Sequence, residues 1–186
     1  MGIHGKTQGT PLEKTIGQLA TGEALGGMLY YALARVAAHH GYGDVAKAFE
    51  AIGNQETNHA GFYATLNGKY PLDKGAFWKL VKGLSRAEAK GEEGLGQLAR
   101  QLADLGLAEA AAEVKEFAAQ EKSHGETTKA LLEKFAPEYA RPAPEGQKRY
   151  VCPVCGFEYE GDIDAEGPDY QCPVCGVRKA GFKPLD

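Results

Sequence analysis

The sequence predicts a mainly α chain: a bundle of four long helices followed by a small, metal-bound β domain. Three observations carry this expectation. Apolar residues recur at alternating steps of three and four from about residue 10 to residue 135, the period that lines one face of a helix. The composition then changes abruptly near residue 136, where three prolines fall between Ala136 and Arg149 and favour an extended spacer. Finally, Cys152, Cys155, Cys172 and Cys175 form two Cys-x-x-Cys pairs in the last fifth of the chain. In a reducing compartment such pairs read as metal ligands rather than disulfides. The expected organisation is a helical bundle over 1–135, a proline-rich linker over 136–149 and a four-cysteine metal domain over 150–186.

The first helix is expected to open at Thr10 as N-cap, with Pro11 at the first helical position and Glu13 as a capping-box glutamate. Its inner stripe runs Leu12, Ile16, Leu19, Glu23, Gly26, Tyr30, Leu33, Ala37. The second starts near Asp44 and carries Val45, Phe49, Ile52, Glu56, His59, Tyr63 and Leu66. After Pro71 a connection with room for a short helix (Phe77 to Val81) leads to a third helix from Ser85, with Glu88 completing a capping box. Its stripe is Glu88, Glu92, Leu95, Ala99, Leu102. The fourth follows Gly106 and gives Val114, Phe117, Glu121, His124, Thr128, Leu131 and Phe135. His39 and His40 close the first helix, where cationic side chains suit the dipole.

Carboxylates interrupt these stripes. Glu23, Glu56, Glu92 and Glu121 stand where leucine is expected, and a buried carboxylate without a partner costs several kcal/mol or becomes neutral. Helices two and four share Gln-Glu-x-x-His, at Gln55 to His59 and at Gln120 to His124; helices one and three share Gly-Glu, at Gly22-Glu23 and Gly91-Glu92. The bundle thus reads as two similar hairpins which, facing one another, would give an approximately two-fold site. Glu and His at i and i+3 point the same way from a helix, and the set of four carboxylates and two imidazoles is that of di-iron and di-manganese carboxylate bundles. Four carboxylates balance two ferrous ions, and oxygen donors mixed with imidazole suit iron or manganese better than copper. The candidate metal ligands are therefore Glu23, Glu56, His59, Glu92, Glu121 and His124. The plainer alternative, exposed glutamates paired with lysines, suits a single Glu-x-x-His better than two copies in register with apolar stripes. Glu88, one turn before Glu92, reads as a capping residue with metal binding as its alternative. Tyr30, two turns beyond Glu23, reads either as a hydrogen-bonding or redox neighbour of the site or as core.

Residues 150–186 are too few for a self-sufficient core, so a metal staple is expected. Cys152-Pro-Val-Cys-Gly156 and Cys172-Pro-Val-Cys-Gly176 are matching knuckles whose glycines permit a tight turn. Four thiolates make a tetrahedral site for zinc or a single iron. Tyr150, Phe157, Tyr159, Tyr170 and Phe182 are the side chains expected to shield it.

The apolar content of 43% is enough to build a core. A net charge of −4 and a pI near 5.8, without any dense basic run, argue against nucleic acid or an anionic membrane as partner. No stretch approaches the roughly 18 uninterrupted apolar residues of a membrane span. The first residues lack the pattern of a secretory signal, and Lys6 stands where myristoylation needs Ser or Thr. A cytoplasmic protein is expected.

Tyr150 to Tyr159 and Cys172 to Phe182 resemble rubredoxins, and the whole from about residue 10 resembles the rubrerythrin family, with its ferritin-like bundle and C-terminal rubredoxin-like domain. The resemblance implies a di-iron centre that reduces hydrogen peroxide to water in oxidative-stress defence, with electrons relayed through the rubredoxin-type iron. It implies the six ligands above with Tyr30 as a tyrosine near the cluster, a homodimer or larger assembly, and an external donor such as a rubredoxin or an NAD(P)H-dependent reductase. Two departures stand out. The further glutamate that typical members carry three residues after the helix-three ligand is replaced, counting from Glu92, by Leu95, and a second tyrosine by Arg100. The alternatives are a di-iron oxidase or ferroxidase acting on dioxygen or Fe(II), and a non-catalytic protein with a zinc ribbon.

Overall fold

A computed structural model describes residues 2–185. The architecture is mainly α, as the sequence predicts. Four long helices, α1 (Glu13–His39), α2 (Gly43–Leu66), α3 (Lys74–Asp104) and α4 (Ala108–Phe135), are followed by a short helix α5 (Pro137–Ala140) and three short strands, β1 (Arg149–Val151), β2 (Glu158–Glu160) and β3 (Lys183–Leu185). The chain divides into two compact units, one running through Leu72 and the other from Asp73 onwards. The division falls between the helical hairpins rather than in the proline-rich stretch.

In the first unit α1 and α2 form an antiparallel hairpin. Small residues let the helices approach: Ala34, Ala37 and Ala46 are buried with Phe49 against them. The turn is a Schellman closure, in which Tyr42 N–H donates to Ala37 O and Gly41 N–H to Ala38 O. Gly41, at φ 78°, supplies the left-handed residue this closure requires. The Thr10 start is met in part. α1 begins at Glu13, and its carboxylate accepts from Gly9 N–H at 2.7 Å rather than from Thr10. Thr7 ties the preceding segment to the end of α2, its hydroxyl lying 3.0 Å from Leu66 O and 2.9 Å from Asn67 Oδ1.

In the second unit α3 and α4 repeat the hairpin, with Leu107 N–H to Leu102 O and Gly106 N–H to Ala103 O closing the turn. Here the expected boundary at Ser85 is corrected: α3 is continuous from Lys74. Asp73 is the true N-cap, accepting from Ala76 N–H at 2.8 Å, and residues 74–84 contain no proline to stop the helix. Ser85, set free of capping, donates across the hairpin to Gly125 O at 3.2 Å.

The three strands form one antiparallel sheet in the order β2-β1-β3, with Tyr150 opposite Tyr159 and Pro184. This small region sits on α3. Gly83, Arg86, Ala87 and Lys90 follow the helical spacing of one face, and each meets it. Phe157 lies over Gly83, where its ring leaves no room for a Cβ, and the Lys90 stem lies on Gly156. Ala87 is buried with Cys152, Phe157, Ile163, Cys172 and Phe182. Arg86 pairs with Glu158 and Glu160, and Lys82 pairs with Glu160 at 2.7 Å and donates to Arg141 O at 2.8 Å. No helix among the described residues is long and apolar enough to cross a membrane.

Candidate metal centres

Each hairpin gathers one group of three potential ligands. In the first unit Glu23 from α1 meets Glu56 and His59 from α2; in the second, Glu88 from α3 meets Glu121 and His124 from α4. Within each group one donor atom per residue lies within 4.8 Å of the others. His59 Nδ1 is 3.4 Å from Glu23 Oε2, and His124 Nδ1 is 3.5 Å from Glu88 Oε2. The glutamates are half-buried and the histidines exposed.

Five of the six residues expected from the sequence are thus brought into these groups. Glu92 is not: Glu88, read from the sequence as a capping residue, takes the place assigned to it. Glu88 has no helix start to cap, because α3 begins fourteen residues earlier. The signal was present in the numbering. Glu56 and Glu121, like His59 and His124, are 65 positions apart, and so are Glu23 and Glu88, whereas Glu92 lies 69 beyond Glu23. The Gly-Glu dipeptide at Gly91-Glu92 imitates Gly22-Glu23 one turn out of register. Counting from Glu88 also moves both departures noted above: the position three residues on is Gly91 rather than Leu95, and Gly96 replaces Arg100. Tyr30 is half-buried and stacks at 5.9 Å, tilted, on Phe49.

The electrostatics of the two groups match. Glu56 is raised above the ordinary carboxylate range by its hydrogen bond to Glu23, by desolvation and by the charge of Glu23, with His59 opposing. Glu121 is raised in the same way by Glu88, against His124. Two carboxylates facing one another share a proton when nothing else neutralises them. A divalent cation removes that repulsion, and two carboxylate oxygens with one imidazole are donors that suit iron or manganese. The donor set fits such an ion. An open cavity of about 450 Å³, lined by Thr15, Gln18, Leu19, Gly22, Glu23 and Glu56, adjoins the first group.

The four cysteines converge in the second unit. The Sγ atoms of Cys152 and Cys175 are 3.4 Å apart and those of Cys155 and Cys172 3.5 Å. Metal–sulfur bonds of ~2.3 Å at tetrahedral angles place sulfurs about 3.8 Å apart, so a slight expansion admits a metal. Both knuckles fold alike. Cys152 N–H donates to Phe157 O and Gly156 N–H to Cys152 O; Cys172 N–H donates to Val177 O and Gly176 N–H to Cys172 O. Gly156 and Gly176 stand at φ 77° and 76°, which side-chain-bearing residues rarely adopt. Burial pushes the Cys155 and Cys172 thiols up. At Cys152 burial is the largest influence, but the N–H groups of Cys155 and Val154 and the neighbouring thiols outweigh it and lower the thiol. Phe157 and Phe182 are buried beside the sulfurs, and Tyr150, Tyr159 and Tyr170 pack around them, as expected.

Long helices presenting paired Glu/Glu/His groups, with a four-cysteine double knuckle, define a carboxylate–histidine metal-binding helical protein with a rubredoxin-like module. The family model described as rubrerythrin matches residues 16–132. The chain belongs to the rubrerythrin family. Solved structures of nigerythrin are similar to it at 23% identity. The mixed-valence form covers 97% of this chain and 89% of that chain, and the fully reduced, all-ferrous form covers 100% and 92%, each with a TM-score of 0.31. No curated protein gives a match.

Proposed function

We propose that the protein is a non-haem di-iron oxidoreductase that reduces hydrogen peroxide to water. In this reading Glu23, Glu56 and His59 hold one iron, and Glu88, Glu121 and His124 the other. The four cysteines hold a third iron that relays electrons from an external donor, such as a rubredoxin or an NAD(P)H-dependent reductase. The working form is a cytoplasmic homodimer or larger assembly. The observation that carries the reading is the doubled Glu/Glu/His group in a chain that also gathers four cysteines.

When bound, the iron pair supplies the two electrons that, with two protons, convert one peroxide molecule to two waters. The chain's own part is to hold charge and protons near that reaction. The two carboxylates of each group would offset one ferrous ion, so each group would be neutral when loaded with reduced iron. The carboxyls of Glu56 and Glu121, raised above the ordinary range chiefly by their hydrogen bonds to Glu23 and Glu88, would be ionised when metal is bound. The cavity beside Glu23 and Glu56 is wide enough for peroxide to reach the first group. Phe157, Phe182 and the surrounding tyrosines shield Cys152 and Cys172 while Cys175 stays exposed, and the Ala87 contact seats the four-cysteine region on the helix that carries Glu88.

The test is spectroscopic. The iron-loaded protein, reduced without oxygen, receives limiting hydrogen peroxide, with dioxygen in a parallel sample. Rapid return of the red ferric tetrathiolate colour with peroxide, and slow return with dioxygen, is the expected result. A preference for dioxygen would overturn the peroxidase reading in favour of an oxidase. A colourless protein after iron loading would overturn the relay in favour of a zinc knuckle.

A further inference from the structure

We infer that Gly26 and Gly91 are positioning residues for the two carboxylate groups: by having no Cβ they let Glu56 and Glu121 lie across the neighbouring helix and aim at Glu23 and Glu88. The inference rests on the metal-binding reading above and assigns roles to residues outside the ligand set.

Two independent observations lead to it. The first is steric. A Cβ on Gly26 would lie 2.6 Å from Glu56 Oε2, 3.4 Å from its Cδ and 3.7 Å from its Cγ. A Cβ on Gly91 would meet the same three atoms of Glu121, at 3.1, 3.4 and 3.5 Å. In both cases the whole glutamate side chain rests on the glycine. The second is the repeat. Gly26 and Gly91 are separated by 65 positions, as are all three ligand pairs, and each follows its helix's own ligand by three residues. That spacing puts position 26 on the same face as Glu23, and 91 on the same face as Glu88. Any side chain there would point into the space the second glutamate uses. Glycine is a poor helix former, yet it occupies both positions inside long helices.

The contacts also predict an asymmetry. The clash at Gly26 falls on a flexible carboxylate end and is severe, so an added methyl would swing Glu56 aside without breaking the hairpin. At Gly91 the overlap is slight, and Glu121 need give only a few tenths of an ångström. Each glycine further denies its hairpin a fourth donor one turn beyond the first, holding each group to three protein ligands.

The experiment is Co(II) titration of metal-free full-length wild type, Gly26→Ala and Gly91→Ala, read by visible absorption and by metal stoichiometry. The thiolate charge-transfer band of the four-cysteine site serves as an internal reference. Gly61→Ala and Gly94→Ala, where an added Cβ meets nothing within 4 Å, are controls. Outer contacts that orient ligands typically change metal affinity about 10–100-fold. Gly26→Ala is expected to weaken one of the two carboxylate sites within that range and to alter its visible band, and Gly91→Ala to do so less. The thiolate band should stay unchanged, and the metal-free variants should melt no lower than wild type. Equal loading of wild type and both glycine variants, with identical spectra, would overturn the positioning role while leaving the metal sites standing. A wild type that binds Co(II) only through its cysteines would overturn the metal reading itself, and this inference with it.

Discussion

The hairpins α1–α2 and α3–α4 are copies in their ligands and differ in what one outer face of the first helix of each carries. Glu23, Glu56 and His59 recur as Glu88, Glu121 and His124; the buried Ala34 and Ala46 recur as Ala99 and Ala111; the turn glycine Gly41 recurs as Gly106. On α3, however, Lys82, Gly83, Arg86 and Ala87 hold the four-cysteine region. The same positions on α1 are Gly17, Gln18, Thr21 and Gly22, and there Gln18 and Gly22 line an open cavity reaching Glu23. The helix crossings differ as well. In the first hairpin Gly27 and Gly53 bring the backbones together beneath Tyr31. Their counterparts are the larger Glu92 and Ala118, and in the second hairpin it is Gly125 that lies against Ser85 and Glu88. The geometry of the Glu/Glu/His groups is set by the repeated residues, whereas the remaining surface of each copy differs. In one copy that surface lines a cavity, and in the other it carries the four-cysteine region.

The difference can be broken most forcefully at Phe157. Its ring is buried against Gly83, so Phe157→Ala should cost about 3–5 kcal/mol of the second unit's stability. Urea denaturation monitored by the tetrathiolate colour checks this. Melting that leaves the cysteine region intact would contradict its attachment to α3.

A smaller effect should be common to both hairpins. Glu56 and Glu121 have folded pKa values raised above their unfolded ones, chiefly by hydrogen bonds to Glu23 and Glu88. At these two positions the folded, metal-free protein keeps a proton to higher pH than the unfolded chain does. The stability these groups contribute is fully present below the unfolded carboxylate pKa and is lost as pH rises through the folded values. Thermal melts of the metal-free protein should fall over that window, and metal loading, which needs ionised carboxylates, should reverse the slope. A metal-free protein that gains stability over the same window would show that the paired carboxylates do not share protons.

Much of this was legible in the sequence because it depends on spacing. Helical stripes, the glycine turns and the double knuckle each follow a local rule. So did five of the six carboxylate-group residues: Glu-x-x-His fixes its own geometry within one turn at Glu56, His59, Glu121 and His124, and Glu23 interrupts an apolar stripe. The third helix misled for a physical reason. Ser85 and Glu88 have the spacing of a capping box, but Asp73 had already started the helix, and a capping motif inside a continuous helix caps nothing. Glu92 then drew the ligand assignment through a local Gly-Glu likeness, although the 65-residue period of the other ligands pointed to Glu88. The seating of the cysteine region on α3 left no comparable signal, because Lys82, Gly83 and Arg86 look like an ordinary helix surface until Phe157, Glu158 and Glu160 are placed upon them.

The most direct test of the repeated ligand set compares Glu88→Ala with Glu92→Ala, each loaded with iron and assayed for bound metal. Glu88→Ala should lose iron from the carboxylate centre while keeping the tetrathiolate iron, and Glu92→Ala should load like wild type. If Glu92→Ala loses the iron and Glu88→Ala retains it, the equivalence of the two hairpins' ligand sets is wrong.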